Sequence, residues 1–293
     1  MGVNLSQKLV RFSYLCNRNG IDSLHKNKLL PTYRLYFPLP NPSIFKQYSM
    51  NPRIVIIPTY NEIENIEAII CKVMSLEPEF NLLIVDDGSP DGTGQKVKEL
   101  QTQFGTSRLH IQERKGKLGL GTAYIHGFKY ALNLGYEYIF EMDADFSHNP
   151  DDLVKLYNAC AEDGADMAIG SRYIKGVNVV NWPMSRVLMS YFAGYYVRFI
   201  TGMTIMDVTA GFKCYTAKVL KTIDLDKIKF IGYAFQVEMK FTSWKYGFKI
   251  TEVPIIFTDR TKGESKMSAN IFREAVLGVL QMKWNSFFKK YEK

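Results

Sequence analysis

The sequence predicts an α/β fold, with helices on both faces of a mostly parallel central sheet. Three observations point there. Short apolar runs alternate with helix-length segments from residue 53 to about residue 170. The runs are near-continuous in Ile, Val and Leu, as strands buried on both faces are. Polar and acidic clusters follow the runs, and in open parallel sheets ligands bind beyond the carboxyl ends of the strands.

The elements follow in order. Residues 53–57 read as a buried strand, 61–75 as a helix and 81–86 as a second strand. Residues 91–104 read as a helix with Asp91 near its N-cap. A third strand is predicted near 108–112, a helix over about 119–134, and a strand over 136–142 that ends at Asp143. Helix 151–162 and strand 165–170 complete the alternation. Beyond them, 184–200 reads as an apolar helix carrying Arg186 and Arg198, 207–215 and 249–260 as extended, and 233–246 as a helix. A polar, Gly-containing stretch, 260–269, precedes a final amphipathic helix near 270–289. No repeat or low-complexity tract is visible.

Composition narrows the classes. With 293 residues, 46% hydrophobic and 23% charged, the chain can bury a sizeable core, which argues against wholesale disorder. Four scattered cysteines and four scattered histidines form no zinc or disulfide pattern and fit a reducing compartment. The net charge of +8 is concentrated: residues 1–50 carry seven Lys/Arg and one Asp, leaving +2 for the rest. A basic nucleic-acid-binding face is therefore not expected. No apolar run approaches the roughly 20 residues of a spanning helix, so membrane contact is expected to be peripheral.

The chemistry-bearing residues lie at the predicted strand ends. Asp143-Ala-Asp145 places two carboxylates at i and i+2 after a buried strand. A hard divalent ion, Mg or Mn, takes carboxylate oxygens together with substrate phosphates and neutralises a diphosphate leaving group. The same aspartates also suit a loop that starts helix 151–162. Residues 86–93, Asp-Asp-Gly-Ser-Pro-Asp-Gly-Thr, read either as a turn or as acids aimed at a base or ribose. Residues 58–62, Pro-Thr-Tyr-Asn-Glu, offer an aromatic face and a carboxylate, or a helix entry with Asn61 as N-cap. The glycines at 116, 119 and 121 fail the dinucleotide fingerprint: no strand directly precedes them, and Tyr124 stands where a small residue is needed.

Taken together, these residues resemble the family-2 glycosyltransferases, specifically the dolichol-phosphate (polyprenol-phosphate) mannose synthases. The match runs from about 53 to 290 through the motifs at 58–62, 86–93, 117–127, 142–148, 170–173, 232–239, 252–255 and 259–266, with Trp182 and Arg186. The resemblance implies a GT-A (nucleotide-diphospho-sugar transferase) fold. It implies inverting transfer of mannose from GDP-mannose to a polyprenyl or dolichyl phosphate, with a divalent cation, at the cytoplasmic face of a membrane. A membrane partner subunit is compatible with this but not required.

The roles it implies are these. Pro58, Tyr60, Glu62, Val85 and Asp87 hold the guanosine. Asp143, Ala144 and Asp145 hold the ribose-diphosphate and the ion, with Asp145 a direct metal ligand and Ser147 at the second ligand position. Arg172, Arg260 and Lys266 contact phosphates, and Trp182 and Arg186 serve the acceptor. Asp143, Asp145, Arg172 and Arg260 form the implied catalytic set; without the resemblance, Arg172, Arg260 and Lys266 also read as surface ion-pair formers. The alternatives are a UDP-sugar donor, such as UDP-glucose, on the same acceptor, or a non-catalytic nucleotide-sugar-binding subunit.

Helix 184–200, aromatic with cationic flanks, reads as interfacial or as packed on the core. Residues 1–50 have no counterpart in the resemblance, which divides the chain into an irregular basic extension, 1–50, and a catalytic domain, 51–293. The extension reads as upstream sequence with Met50 the natural start, as a basic tether, or as a targeting segment.

Overall fold

The structure is a computed structural model that describes residues 51–260 and 269–292. The extension 1–50, Lys266 and nearly all of the polar stretch 260–269 lie outside the described residues.

The strands are β1 (Arg53–Thr59), β2 (Asn81–Asp86), β3 (Leu109–Glu113), β4 (Tyr138–Glu141), β5 (Met167–Ser171), β6 (Val179–Val180), β7 (Lys213–Thr216), β8 (Ile250–Pro254) and β9 (Phe257–Thr258). The helices are α1 (Ile63–Met74), α2 (Thr93–Phe104), α3 (Leu120–Asn133), α4 (Asp152–Ala161), α5 (Met184–Thr201), α6 (Ala217–Thr222), α7 (Tyr233–Lys245) and α8 (Ala269–Asn285).

One sheet runs in the order β3-β2-β1-β4-β7-β5-β8. The pairs β1/β2, β1/β4, β2/β3 and β5/β8 are parallel, and β7 is antiparallel to both neighbours. The chain leaves β1 to one side for β2 and to the other for β4. A crevice between βα loops opens at such a switch point, which is where ligands bind.

The apolar strands serve both faces because successive side chains alternate. Val55 and Ile57 join Leu82 and Ile84 against Ile66 and Ile70 of α1 and Leu153 of α4. Ile54 and Ile56 join Leu83 and Val85 against Tyr124 and Phe128 of α3 and Phe235 of α7. The glycines before α3 have a structural use. Gly119 has φ +100°, and a Cβ on Gly121 would lie 2.8 Å from the Phe230 carbonyl oxygen and 2.9 Å from the Phe235 ring. The helix can therefore approach the 230–235 segment closely.

Some local expectations need correction. Glu62, not Asn61, stands at the N-cap of α1, and Asn61 takes φ +56°. Gly92 holds the N-cap of α2. Asp91 still serves both helices: it accepts from Thr93 N at 3.0 Å and from Ile63 N at 3.1 Å. The extended reading of 207–215 shrinks to β7, because Asp207 is turned to another task described below. β6, β9 and α6 are too short to show a period in sequence.

Candidate active site

β1 and β4 deliver two polar loops to the switch point. After β4 comes Met142, then Asp143-Ala-Asp145. Phe146 takes φ +58°, uncommon for a bulky side chain and concentrated at functional sites. This kink turns the chain so that Ser147 N donates to Asp145 Oδ1 at 3.0 Å. Asp145 is 7% exposed, and its Oδ2 lies 2.8 Å from Arg260 Nη2. Ala144 is buried beside it, and Ser147 is buried with its carbonyl accepting from Thr258 N at 3.2 Å.

Asp143 collects repulsion. Its carboxyl is pushed up to about 7, first by desolvation and then by the charges of Asp145 and Glu141. Its side chain is still 40% exposed, so water screens part of this. Tyr124 Oη lies 3.5 Å from Asp143 Oδ1. His148, stacked on Phe212 with ring centroids 5.0 Å apart, is held neutral near neutral pH: burial pushes it down to about 4.

Below these groups lies a buried ionic floor that sequence reasoning missed. Glu141 accepts from Lys213 Nζ at 2.8 Å, from Tyr215 Oη at 2.9 Å and from Gln236 Nε2 at 2.9 Å. Lys240 donates to the carbonyls of Ala210 and Val208 at 2.6 and 3.1 Å. Burial lowers the pKa of Lys213, and lowers that of Lys240 well below its usual value. A signal did exist: Glu141 in the apolar run 138–142, Lys213 in 212–215 and Glu238 and Lys240 in 234–241 are charges of a kind rarely buried unless paired.

On the β1/β2 side the acids already have protein partners. Asp86 accepts from Thr59 Oγ1 at 2.9 Å and Ser89 N at 2.9 Å. Asp87 takes Arg114 Nε at 2.6 Å and Leu118 N at 3.2 Å. Of the two readings of residues 86–93, the turn accounts for how both acids are held, since turn residues and Arg114 supply their protein partners. Pro58 and Val85 stand opposite each other in the β1/β2 register. Val85 is fully buried, backbone included. Lys117 Nζ sits 5.3 Å from the centre of the Tyr60 ring, and Glu62 accepts from Asn65 Nδ2 at 3.2 Å.

A second cluster faces α5. Arg172 donates Nε and Nη2 to Asp207 at 2.8 and 2.7 Å, a buried bidentate pair. Burial pushes the Asp207 carboxyl up, but Arg172 overrides this and holds it below the usual range. The Asp207 backbone N–H goes to Glu252 Oε1 at 2.9 Å. Arg172 thus packs as a structural pillar as well as a cation. Trp182 carries the Arg186 guanidinium 4.1 Å from its ring centre and that of Arg172 at 5.4 Å. Arg186 Nη1 donates to Asp259 Oδ2 at 2.9 Å. Asp207 did not stand out in the sequence, and Asp259 did so only as the first residue of the 259–266 motif with no role of its own, because a carboxylate that serves an arginine distant in the chain has no local signature.

Among the described residues no three His, Cys, Asp or Glu side chains assemble a cation cage. The donor set still fits a hard divalent ion that shares oxygens with a diphosphate. Asp145 is a buried carboxylate with a counter-charge already on it, and Asp143 beside it carries excess negative potential.

Paired carboxylates and arginines thus meet at the switch point of a mostly parallel sheet, and the comparisons with known proteins give this arrangement its class, a glycosyltransferase of the GT-A type. The chain belongs to glycosyl transferase family 2, whose pattern matches residues 54–224. It is 46% identical over 228 residues to the polyprenol monophosphomannose synthase of Mycolicibacterium smegmatis, covering 78% of this chain and 85% of that protein. It is 45% identical over 226 residues to the undecaprenyl-phosphate mannosyltransferase of Micrococcus luteus, covering 77% and 91%. The fold is also that of a Pyrobaculum calidifontis mannosyltransferase solved with GDP-Man and Mn2+. There the TM-score is 0.51 at 15% identity, covering 83% of this chain and 67% of that one.

Proposed function

We propose that this chain transfers mannose from GDP-mannose to a polyprenyl phosphate, with inversion at the sugar carbon, aided by a divalent cation at a membrane surface. The reading rests on one observation: Asp143 and Asp145 meet Arg260 at the switch point, in a chain close in sequence to two lipid-phosphate mannosyltransferases. Mg2+ and Mn2+ both suit the oxygen donors.

The acceptor phosphate needs no strong base, because a phosphate monoester with a second pKa of about 6 is largely dianionic at neutral pH. The task is to bring two anions together. Arg186 and Arg172 stand where an incoming phosphate would meet cations, and Arg260 and Lys266 serve the diphosphate. Asp145 and Asp143, with Ser147 beside them, would hold the ion, which neutralises the leaving group when bound. Tyr60, Glu62, Asp87 and Pro58 would frame the guanosine, with the buried Val85 behind them, and Trp182 would hold Arg186 flat toward the acceptor.

Among the described residues no helix is long and apolar enough to cross a membrane. Instead α5 exposes Met184, Leu188, Met189, Phe192 and Phe199, and Trp284 at the end of α8 is exposed together with Phe287 and Phe288 just after it. Such a face suits peripheral docking at the bilayer that holds the acceptor. The purified chain, given GDP-mannose and Mn2+, should mannosylate a short-chain polyprenyl phosphate and leave the matching polyprenol untouched. Mannosylation of the free alcohol would overturn the phosphate-nucleophile reading.

A further inference from the structure

Two ion pairs on the two sides of the site are held by consecutive residues. Arg260 Nη2 pairs with Asp145 Oδ2 at 2.8 Å on the donor side. Asp259 Oδ2 pairs with Arg186 Nη1 at 2.9 Å on the acceptor side. The other oxygen of the same carboxylate, Oδ1, accepts the backbone N–H of Arg260 at 3.1 Å. One carboxylate therefore ties the acceptor arginine to the backbone of the donor arginine.

The segment that carries them is anchored on both walls. Thr258 N donates to the Ser147 carbonyl at 3.2 Å, and His148 bridges Phe257. Asp259 N donates to the Val180 carbonyl at 3.1 Å, at the end of β6 and a few residues before α5. These anchors end at Asp259 N, so a shift of Arg260 reaches the Asp259 carboxylate through the bond between its Oδ1 and the Arg260 backbone N–H.

Both pairs use up charge that the proposed reaction needs. A phosphate that binds Arg186 must compete with Asp259, and a diphosphate that binds Arg260 must draw it from Asp145. Arg186 and Asp259 are 31% and 30% exposed, so their pair is weak enough to exchange.

We propose that Asp259 is a positioning residue that makes acceptor binding depend on donor binding. With the donor side empty, Arg260 stays on Asp145, its backbone stays on Asp259, and Asp259 keeps Arg186. When a nucleoside diphosphate takes Arg260, the Asp259 carboxylate follows it and Arg186 is released to the acceptor phosphate over the face of Trp182. The lipid phosphate is thus admitted after the donor, so the charged acceptor does not fill the crevice first. The inference rests on the function proposed above, and coupling of this kind is reciprocal.

The test uses the full chain and reads binding as well as rate. The affinity for a soluble short-chain polyprenyl phosphate is measured by calorimetry, alone and with saturating GDP plus MnCl2. For the wild type, GDP–Mn2+ should tighten acceptor binding about fivefold or more, within the usual range for coupled sites. In Asp259→Asn, which keeps the shape and removes the charge, acceptor binding should be tight already and change less than twofold with GDP–Mn2+. Its acceptor KM should fall while kcat stays within about twofold. Asp259→Glu, which restores the carboxylate, should restore part of the coupling, and a melting curve establishes that each variant is folded.

The proposal is overturned if folded Asp259→Asn keeps the wild-type coupling factor, or binds acceptor more weakly than wild type. It is overturned also if the wild type transfers mannose but shows no coupling, which leaves the function standing. A wild-type chain that neither binds polyprenyl phosphate nor uses GDP-mannose overturns the function and the inference together.

Discussion

The half of the chain that builds β1–β4 and the half that builds α5–α8 treat their surfaces in opposite ways. In the first half nearly every acid near the switch point has an internal partner: Asp86 with Thr59, Asp87 with Arg114, Asp91 with Thr93. Its helices bury their apolar faces against the sheet. In the second half, α5 and the residues at and just after the end of α8 turn large apolar side chains outward, with Phe199 at 88% and Phe288 at 77% exposed. Large exposed apolar patches commonly mark interaction surfaces, and docking at a bilayer is the role proposed for this one. A soluble nucleotide needs a rigid, prearranged cradle, whereas a lipid-borne acceptor needs a surface that meets a bilayer.

The comparison can be broken most sharply on the donor side. Asp145→Ala should lower turnover about a thousandfold or more. Its melting temperature should fall by a few degrees at most, because the Ser147 and Arg260 contacts of the carboxylate are lost while the apolar core stays intact. Activity near wild type in chelator-treated buffer would show that Asp145 holds no ion.

The acceptor side should give a smaller and different loss. Arg186→Ala should raise the KM for polyprenyl phosphate about 30-fold, since losing a charged hydrogen-bond partner costs about 2 kcal/mol or more. The KM for GDP-mannose should hardly move. Arg186→Lys should recover only part, because a point charge lacks the planar fork. Equal losses for both substrates would remove Arg186 from the acceptor side.

The outward face should yield a loss confined to membranes. Replacing Phe192 and Phe199 by Ser should weaken vesicle binding about tenfold per residue, given about 1.5–3 kcal/mol for burying a phenyl side chain. The rate in detergent should be unchanged. Vesicle binding that survives both substitutions would place the docking surface elsewhere.

The smallest effect concerns pH. Asp143 has its pKa raised above its unfolded value by burial, Asp145 and Glu141. Its contribution to stability is therefore greatest below about pH 4, and is lost as the pH rises through about 7. Asp143→Asn should raise the melting temperature of the ligand-free chain by a few degrees at pH 8 and leave it unchanged at pH 4. A drop at pH 8 would mean that the carboxylate is stabilised rather than strained.

Much of the first half was legible in the sequence. Its strands are near-continuous apolar runs closed by acids, so both the parallel sheet and the position of Asp143 and Asp145 follow from pattern alone. The second half hid its topology. β7 enters the sheet antiparallel between β4 and β5, and nothing in a four-residue run states its direction. The ionic floor of Glu141, Lys213 and Gln236 was half visible, as isolated charges in apolar segments whose partners lie far apart in sequence. The roles of Asp207 and Asp259 were invisible for the same reason, although Asp259 opens the 259–266 motif: each serves an arginine brought near only by folding. Arg172 read as a phosphate ligand, and the structure adds that it braces Asp207.

Donor choice by the purified chain bears most directly on the central claim. With a short-chain polyprenyl phosphate and either Mn2+ or Mg2+, GDP-mannose and UDP-glucose are supplied in parallel and the lipid product is analysed by NMR. The account predicts a β-linked mannosyl lipid from GDP-mannose, with little or no product from UDP-glucose and none once the cation is chelated. A glucosyl lipid as the main product, or an α-linked mannosyl lipid, would contradict it.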